Sequence, residues 1–170
     1  MKPIALALAL ASSLAFAQAK TDYTLNAGAV HFHVPGNWTA IMEKADGDPQ
    51  AVIFQVPDPA TQGTEDTASV TIKTRSLKSS ADFQGFVTDE FERAKGQAFD
   101  ESDASNKDSS VNLYCVSRSK TRYLVRDSYQ LNGSVAIEVR CQRPLLDGTP
   151  TEWNDRFDAN CASVVASLKK

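Results

Sequence analysis

The chain has 170 residues, 42% of them hydrophobic and 23% charged, and a formal net charge of −3 at pH 7. That is the length of a single domain with enough apolar material for a real core. A mildly acidic balance with no basic run argues against nucleic acid and against anionic membrane surfaces as partners.

Lys2 is the one charge before residue 20, Ile4 to Phe16 is rich in Ala and Leu, and Ala17-Gln18-Ala19 has the small-x-small cleavage form. This predicts a secretory signal peptide over 1–19 and one domain over 20–170. The apolar part, about 13 residues, falls short of the ~20 that span a bilayer. With no cysteine near the cleavage position, no membrane or lipid anchor is expected, and the location expected is the bacterial periplasm or beyond.

Val30, Phe32 and Val34 alternate with His31 and His33, which predicts a half-buried strand ending at Pro35-Gly36. Thr39 to Glu43 reads as a second strand, broken at Asp46-Gly47-Asp48-Pro49. Ala51 to Val56 is continuously apolar and reads as a central strand; the polar segment from Pro57 to Thr67 reads as a surface loop. Ala68 to Thr74 returns as a strand. Ser80 then caps a helix whose stripe is Phe83, Phe86, Val87, Phe91 and Ala94, ending at Gly96. Asp100 to Ser110 reads as a mobile acidic loop, and three strands follow near 111–119, 122–131 and 134–142.

Asn132-Gly133 is the strongest hairpin signal in the chain. A two-residue turn there sets Val139 opposite Arg126, whereas a three-residue loop sets Val125 opposite Cys141. The second register suits the apolar pattern but places Asp127 among apolar residues, and both stay open. Thr149-Pro150-Thr151-Glu152 reads as a helix start with Thr149 as cap, and Trp153, Phe157, Cys161, Val164 and Leu168 form one stripe behind it. Cys141 ends the alternating run Val135, Ile137, Val139. Both sulfurs face the apolar side of their elements, which predicts a Cys141–Cys161 bridge in an oxidising compartment and leaves Cys115 as a buried thiol. Strands, helix, strands, helix predict an α+β fold: a single antiparallel sheet with a mid-chain helix and a C-terminal helix packed on it.

The segment Phe32-His33-Val34-Pro35-Gly36-Asn37-Trp38, the helix from Ser80 and the closing Phe157, Val164, Ser167 and Leu168 resemble the PsbP-like fold family, bacterial envelope members included. The resemblance spans about residues 26–169. It implies an α/β/α sandwich and a non-enzymatic binding role, and it assigns no site residues.

Two histidines on one strand face can hold a metal only with a third ligand, and the sequence names none, so no metal or cofactor is expected. Asp46-Gly47-Asp48 and Asp100, Asp103, Asp108 lack the spacing of a calcium loop. No nucleophile-elbow, zincin or phosphate-loop motif occurs, which argues against an enzyme. Trp38 follows a turn, where an aromatic either anchors a partner or closes the core. With the acids Asp46, Asp48, Glu65, Asp66, Asp100 and Asp103, it makes up the expected partner surface. The expectation is therefore an exported immunity or inhibitor protein that occludes a basic toxin or envelope hydrolase. The alternative is a small-ligand or lipid carrier whose pocket lies near Phe83, Phe86 and Phe91.

Overall fold

The computed structural model describes residues 19–61, 65–95, 99–100 and 110–168, so the expected signal peptide, apart from its last residue Ala19, lies outside the described residues. Among these, the strands are β1 (Lys20–Leu25), β2 (Val30–Pro35), β3 (Thr39–Lys44), β4 (Gln50–Val56), β5 (Ala68–Ser76), β6 (Phe99–Asp100), β7 (Val111–Arg118), β8 (Thr121–Asn132) and β9 (Val135–Pro144). The helices are α1 (Phe83–Lys95) and α2 (Thr151–Ser167).

The expectation of a single sheet is overturned. The chain is mostly β and builds two antiparallel sheets: a two-stranded ribbon β1-β2, and a larger sheet in the order β3-β4-β5-β9-β8-β7, with the two-residue β6 at its far edge. The alternation in β2 shows correctly that Val30, Phe32 and Val34 are buried. Alternation carries no information about which strand pairs with which, and β2 pairs with β1 rather than joining the main sheet.

Cross-strand register decides the two faces of the large sheet. Val52, Ile72 and Val139 lie in one row and Phe54, Val70 and Cys141 in the next, and the ribbon and α2 cover both rows. Phe54 is the centre of that core, with ring centroids of Tyr23, Trp38 and Phe32 at 4.8, 6.3 and 6.4 Å. The α2 stripe is buried as the spacing predicts, and Trp153 Nε1 donates to the Pro57 carbonyl at 2.9 Å. Its start differs: Pro150 is the N-cap, no side chain caps, and Thr149 Oγ1 is buried without a hydrogen bond.

The opposite face carries α1. Its cap is Ser79 rather than Ser80: Ser79 Oγ accepts from Ala81 N, and Asp82 returns a bond to Ser79 N, at the head of a short 3-10 turn that leads into the helix. Phe86, Val87, Glu90 and Ala94 point inward. The phenylalanines fill this interface, Phe86 meeting Tyr129 edge-on at 6.2 Å and Phe83 at 6.4 Å.

Neither expected β8–β9 register occurs. The two-residue turn is Gly133-Ser134, with Gly133 at φ +59°, and Asn132 pairs with Val135. The turn centred on Asn132-Gly133 would set Asp127 opposite Glu138. The observed register sets Asp127 opposite Arg140, replacing a like-charge cross-strand pair with an ion pair.

Candidate functional site

The expected partner residues do not converge. Asp46 and Asp48 lie in the β3–β4 turn at one end of the sheet, where Asp48 accepts from Ser76 N at 3.0 Å. Glu65 and Asp66 lie at the opposite end, before β5. Asp66 is committed there, accepting from Thr121 Oγ1 at 2.8 Å and from the Tyr123 hydroxyl at 2.7 Å. Burial first, and that bond second, push Tyr123 up to about 12. Asp100 belongs to β6 on the far edge from β3, six strand steps or roughly 29 Å away, and Asp103 lies outside the described residues. Trp38 is buried against Phe54 and closes the core.

His33 Nδ1 contacts the Asp22 carboxylate across the ribbon, and His31 is exposed opposite Thr24. Among the described residues no three His, Cys, Asp or Glu side chains come together as metal ligands. The Cys141–Cys161 bridge is present, with Cα atoms 6.3 Å apart, and it ties α2 to β9; Cys115 is buried on β7.

Two features carry chemistry that the sequence reading missed. The first is an ion network between α1 and the sheet, its carboxylates buried and its Arg93 end open to solvent. Arg140 Nε and Nη2 donate to the two oxygens of Asp127 at 2.8 and 2.9 Å, and the Tyr114 hydroxyl donates to Asp127 at 2.7 Å. Glu138 meets Arg140 at 3.1 Å and Lys73 at 3.4 Å; Glu90 meets Lys73 at 2.7 Å and Arg93 at 2.5 Å. Three cations face three carboxylates.

Burial and then the Asp127 charge push Glu138 up to about 6, against the pull of Arg140 and Lys73. Burial also raises Glu90, but the bonds and charges of Lys73 and Arg93 outweigh it and hold that carboxyl below its usual range. Burial and the nearby Asp127 charge push Tyr114 well up. Asp127, which fits neither expected register comfortably, was the available signal for this network.

The second feature is a groove on the other face, beside α2. That helix packs on β2 and β9 and touches β8 at Gln130, whose Nε2 donates to the Val165 carbonyl at 2.8 Å, but beside Phe157 it leaves part of β7 and β8 open. The rows Leu113–Arg126–Cys141 and Cys115–Leu124–Arg143 form a checkerboard of apolar and cationic side chains there. Leu113 and Leu124 are half-buried at the floor, Phe157 and Asp158 form the helical wall, and the cavity is ≈ 130 Å³. Arg126 is exposed, and among the described residues no ion pair or side-chain hydrogen bond engages it. The Arg143 side chain is only 12% exposed. Its Nε is buried without a hydrogen bond, and the nearest carboxylate, Asp158, stands 3.6 Å away, beyond hydrogen-bonding reach. In sequence, the alternation of Arg122, Leu124 and Arg126 in β8 was the trace of this site, hidden because that strand taken alone reads as a solvated face.

A larger depression of ≈ 470 Å³ lies at the N-terminal end of α1, lined by Arg75, Lys78, Asp82, Gly85, Phe86 and Asp89 among others. Its charges are of both signs, and Asp82 is used in the helix cap.

No family model matches the chain, and no curated protein matches it. A crystal structure of a protein from Bacteroides thetaiotaomicron VPI-5482 is similar at 14% identity and a TM-score of 0.47, covering 89% of this chain and 48% of its own. The chain thus spans about half the length of that protein.

Proposed function

We propose that this is an exported, non-enzymatic protein-binding domain that acts as an inhibitor, occluding a toxin or hydrolase of the bacterial cell envelope. The observation that carries the reading is the groove beside α2. It is a side-chain-sized recess with two arginines poorly matched by carboxylates, on a sheet clipped to its helix by a disulfide. Rigid, pre-formed recesses of that size are where partner anchors seat. Ligand pockets run to roughly 300–1,000 Å³, so this recess of ≈ 130 Å³ suits a protein anchor; the ≈ 470 Å³ depression beside Phe86 has the volume for a small ligand, but most of its lining residues are polar or charged.

Export is supported by the leader-like residues 1–19 and by the disulfide, which suits an oxidising compartment. Among the described residues no helix is long and apolar enough to cross a membrane. The PsbP-like resemblance in Phe32 to Trp38 points toward a binding role as well. Because the acids are dispersed, a basic partner is favoured only through net charge and long-range steering, while the contact itself is made by arginines.

The test is inhibition. Purified residues 20–170, unreduced, are added to envelope extracts, and peptidoglycan- and lipid-hydrolase activities are followed. Dose-dependent suppression of one activity is expected; unchanged activities at micromolar protein would refute the reading.

A further inference from the structure

We infer that the groove between α2 and the β7–β8 strands recognises one apolar side chain flanked by a carboxylate on the partner protein, so that the contact surface of the partner is acidic. This deepens the inhibitor reading and rests on it. The volume of the recess sets the apolar part: it accepts one large side chain on Leu113, Leu124 and Phe157.

The charge of the rim sets the polar part. Arg126 and Arg143 stand on adjacent strands, Arg126 diagonal to Arg143 through Leu124 and Cys141. Asp158, half exposed, is the one acid lining the recess, so the local balance stays positive although the whole chain is negative. Arg143 Nε is already desolvated without a hydrogen bond. An atom closed off in this way is out of a partner's reach, so Arg143 adds positive charge behind the rim, and the exposed Arg126 guanidinium is the donor that a partner carboxylate meets in charge-assisted bonds. Arginine is among the residues enriched at binding hot spots, and here an exposed one stands beside an apolar floor.

The experiment uses isotope-labelled residues 20–170 and two small probes, N-acetyl-phenylalaninate and its neutral amide. The carboxylate probe is expected to shift resonances of Leu113, Leu124, Arg126 and Arg143, with the amide about tenfold weaker. Arg126→Glu should weaken the carboxylate probe by at least tenfold and abolish hydrolase inhibition. Arg126 is exposed, so its melting temperature should stay within a few degrees of wild type; Arg126→Gln, which removes only the charge, is the second variant.

Equal binding of acid and amide, or shifts confined to other surfaces, overturns the inference. So does inhibition that survives Arg126→Glu. Concentration-dependent self-association that Arg126→Glu abolishes would assign the groove to a second copy, whose exposed Met42 and Glu43 offer the same chemistry, and would overturn the partner assignment. Selective binding of the carboxylate probe without inhibition of any envelope hydrolase would uphold the recognition chemistry and remove the inhibitor reading.

Discussion

Glu138→Gln removes the charge of one of the three carboxylates at the heart of the α1 interface. Glu138 is faced by Asp127 and Tyr129 from β8, Arg140 from its own strand, Lys73 from β5, and Glu90 and Arg93 from α1. Its carboxyl is pushed up to about 6 in the folded chain, against about 4.3 for a free glutamate. A raised value means that the folded state binds this proton more tightly than the unfolded state. Its stabilising contribution is therefore complete below the unfolded value and is lost as pH rises through 6. The whole effect is roughly 2 kcal/mol, of which a little over 1 kcal/mol arrives between pH 7 and pH 5. Below that range Glu90 acts the other way, since its value is depressed and its contribution is lost on further acidification.

Wild type should thus be most stable near pH 5. Glu138→Gln, neutral at every pH, should be at least as stable at pH 7 and should lack the rise from 7 to 5. Asp127→Asn, by contrast, leaves Arg140 with Glu138 alone and should cost about 3 kcal/mol, the lower end for breaking a buried pair. Urea unfolding of the unreduced protein at pH 7, 6 and 5 reads all three. Superimposable pH profiles for wild type and Glu138→Gln would refute the reasoning.

Three further outcomes follow from packing. Replacing Cys141 and Cys161 together by serine opens a loop with a sequence separation of 20 and should cost about 3 kcal/mol, seen as a fall in melting temperature that reductant reproduces in wild type. Gly85→Ala should raise stability by roughly 0.5–1 kcal/mol, because an added Cβ meets nothing within 4 Å and the helix gains a better former; a lowered melting temperature would contradict this. Phe54→Ala empties the centre of the ribbon–sheet core and should cost about 3–5 kcal/mol at unchanged denaturant slope; a loss under 1 kcal/mol would mean the ribbon is not packed there.

Much of the local structure was legible. The stripe from Trp153 to Leu168 and the alternation ending at Cys141 bury one face each, and those two facts were enough to pair the sulfurs correctly. The helix after Ser79 was legible from its phenylalanines, but Glu90 rather than Phe91 turned out to be an inward residue, because Lys73 waits beneath it on β5 and Arg93 reaches it from the next turn of the helix. β1 escaped notice although Tyr23 and Leu25 alternate with polar neighbours, and with it escaped the second sheet. The groove could not be read from one strand at a time: Leu113, Leu124, Arg126 and Arg143 become a site only once β7, β8 and β9 are set side by side.

By itself the order of residues determined the apolar side of β2, β9 and α2, placed the β8–β9 turn and the start of α1 to within a residue, and told which two cysteines meet. These are consequences of periods of 2.0 and 3.6 residues, which are local properties. Folding in three dimensions decided the rest: that β2 leaves the main sheet for β1, that Asp127 finds Arg140 instead of Glu138, and that α2 leaves a strip of β7 and β8 uncovered. Those outcomes depend on pairing between distant segments and on charges that meet only when the strands are in register, and no local period encodes them.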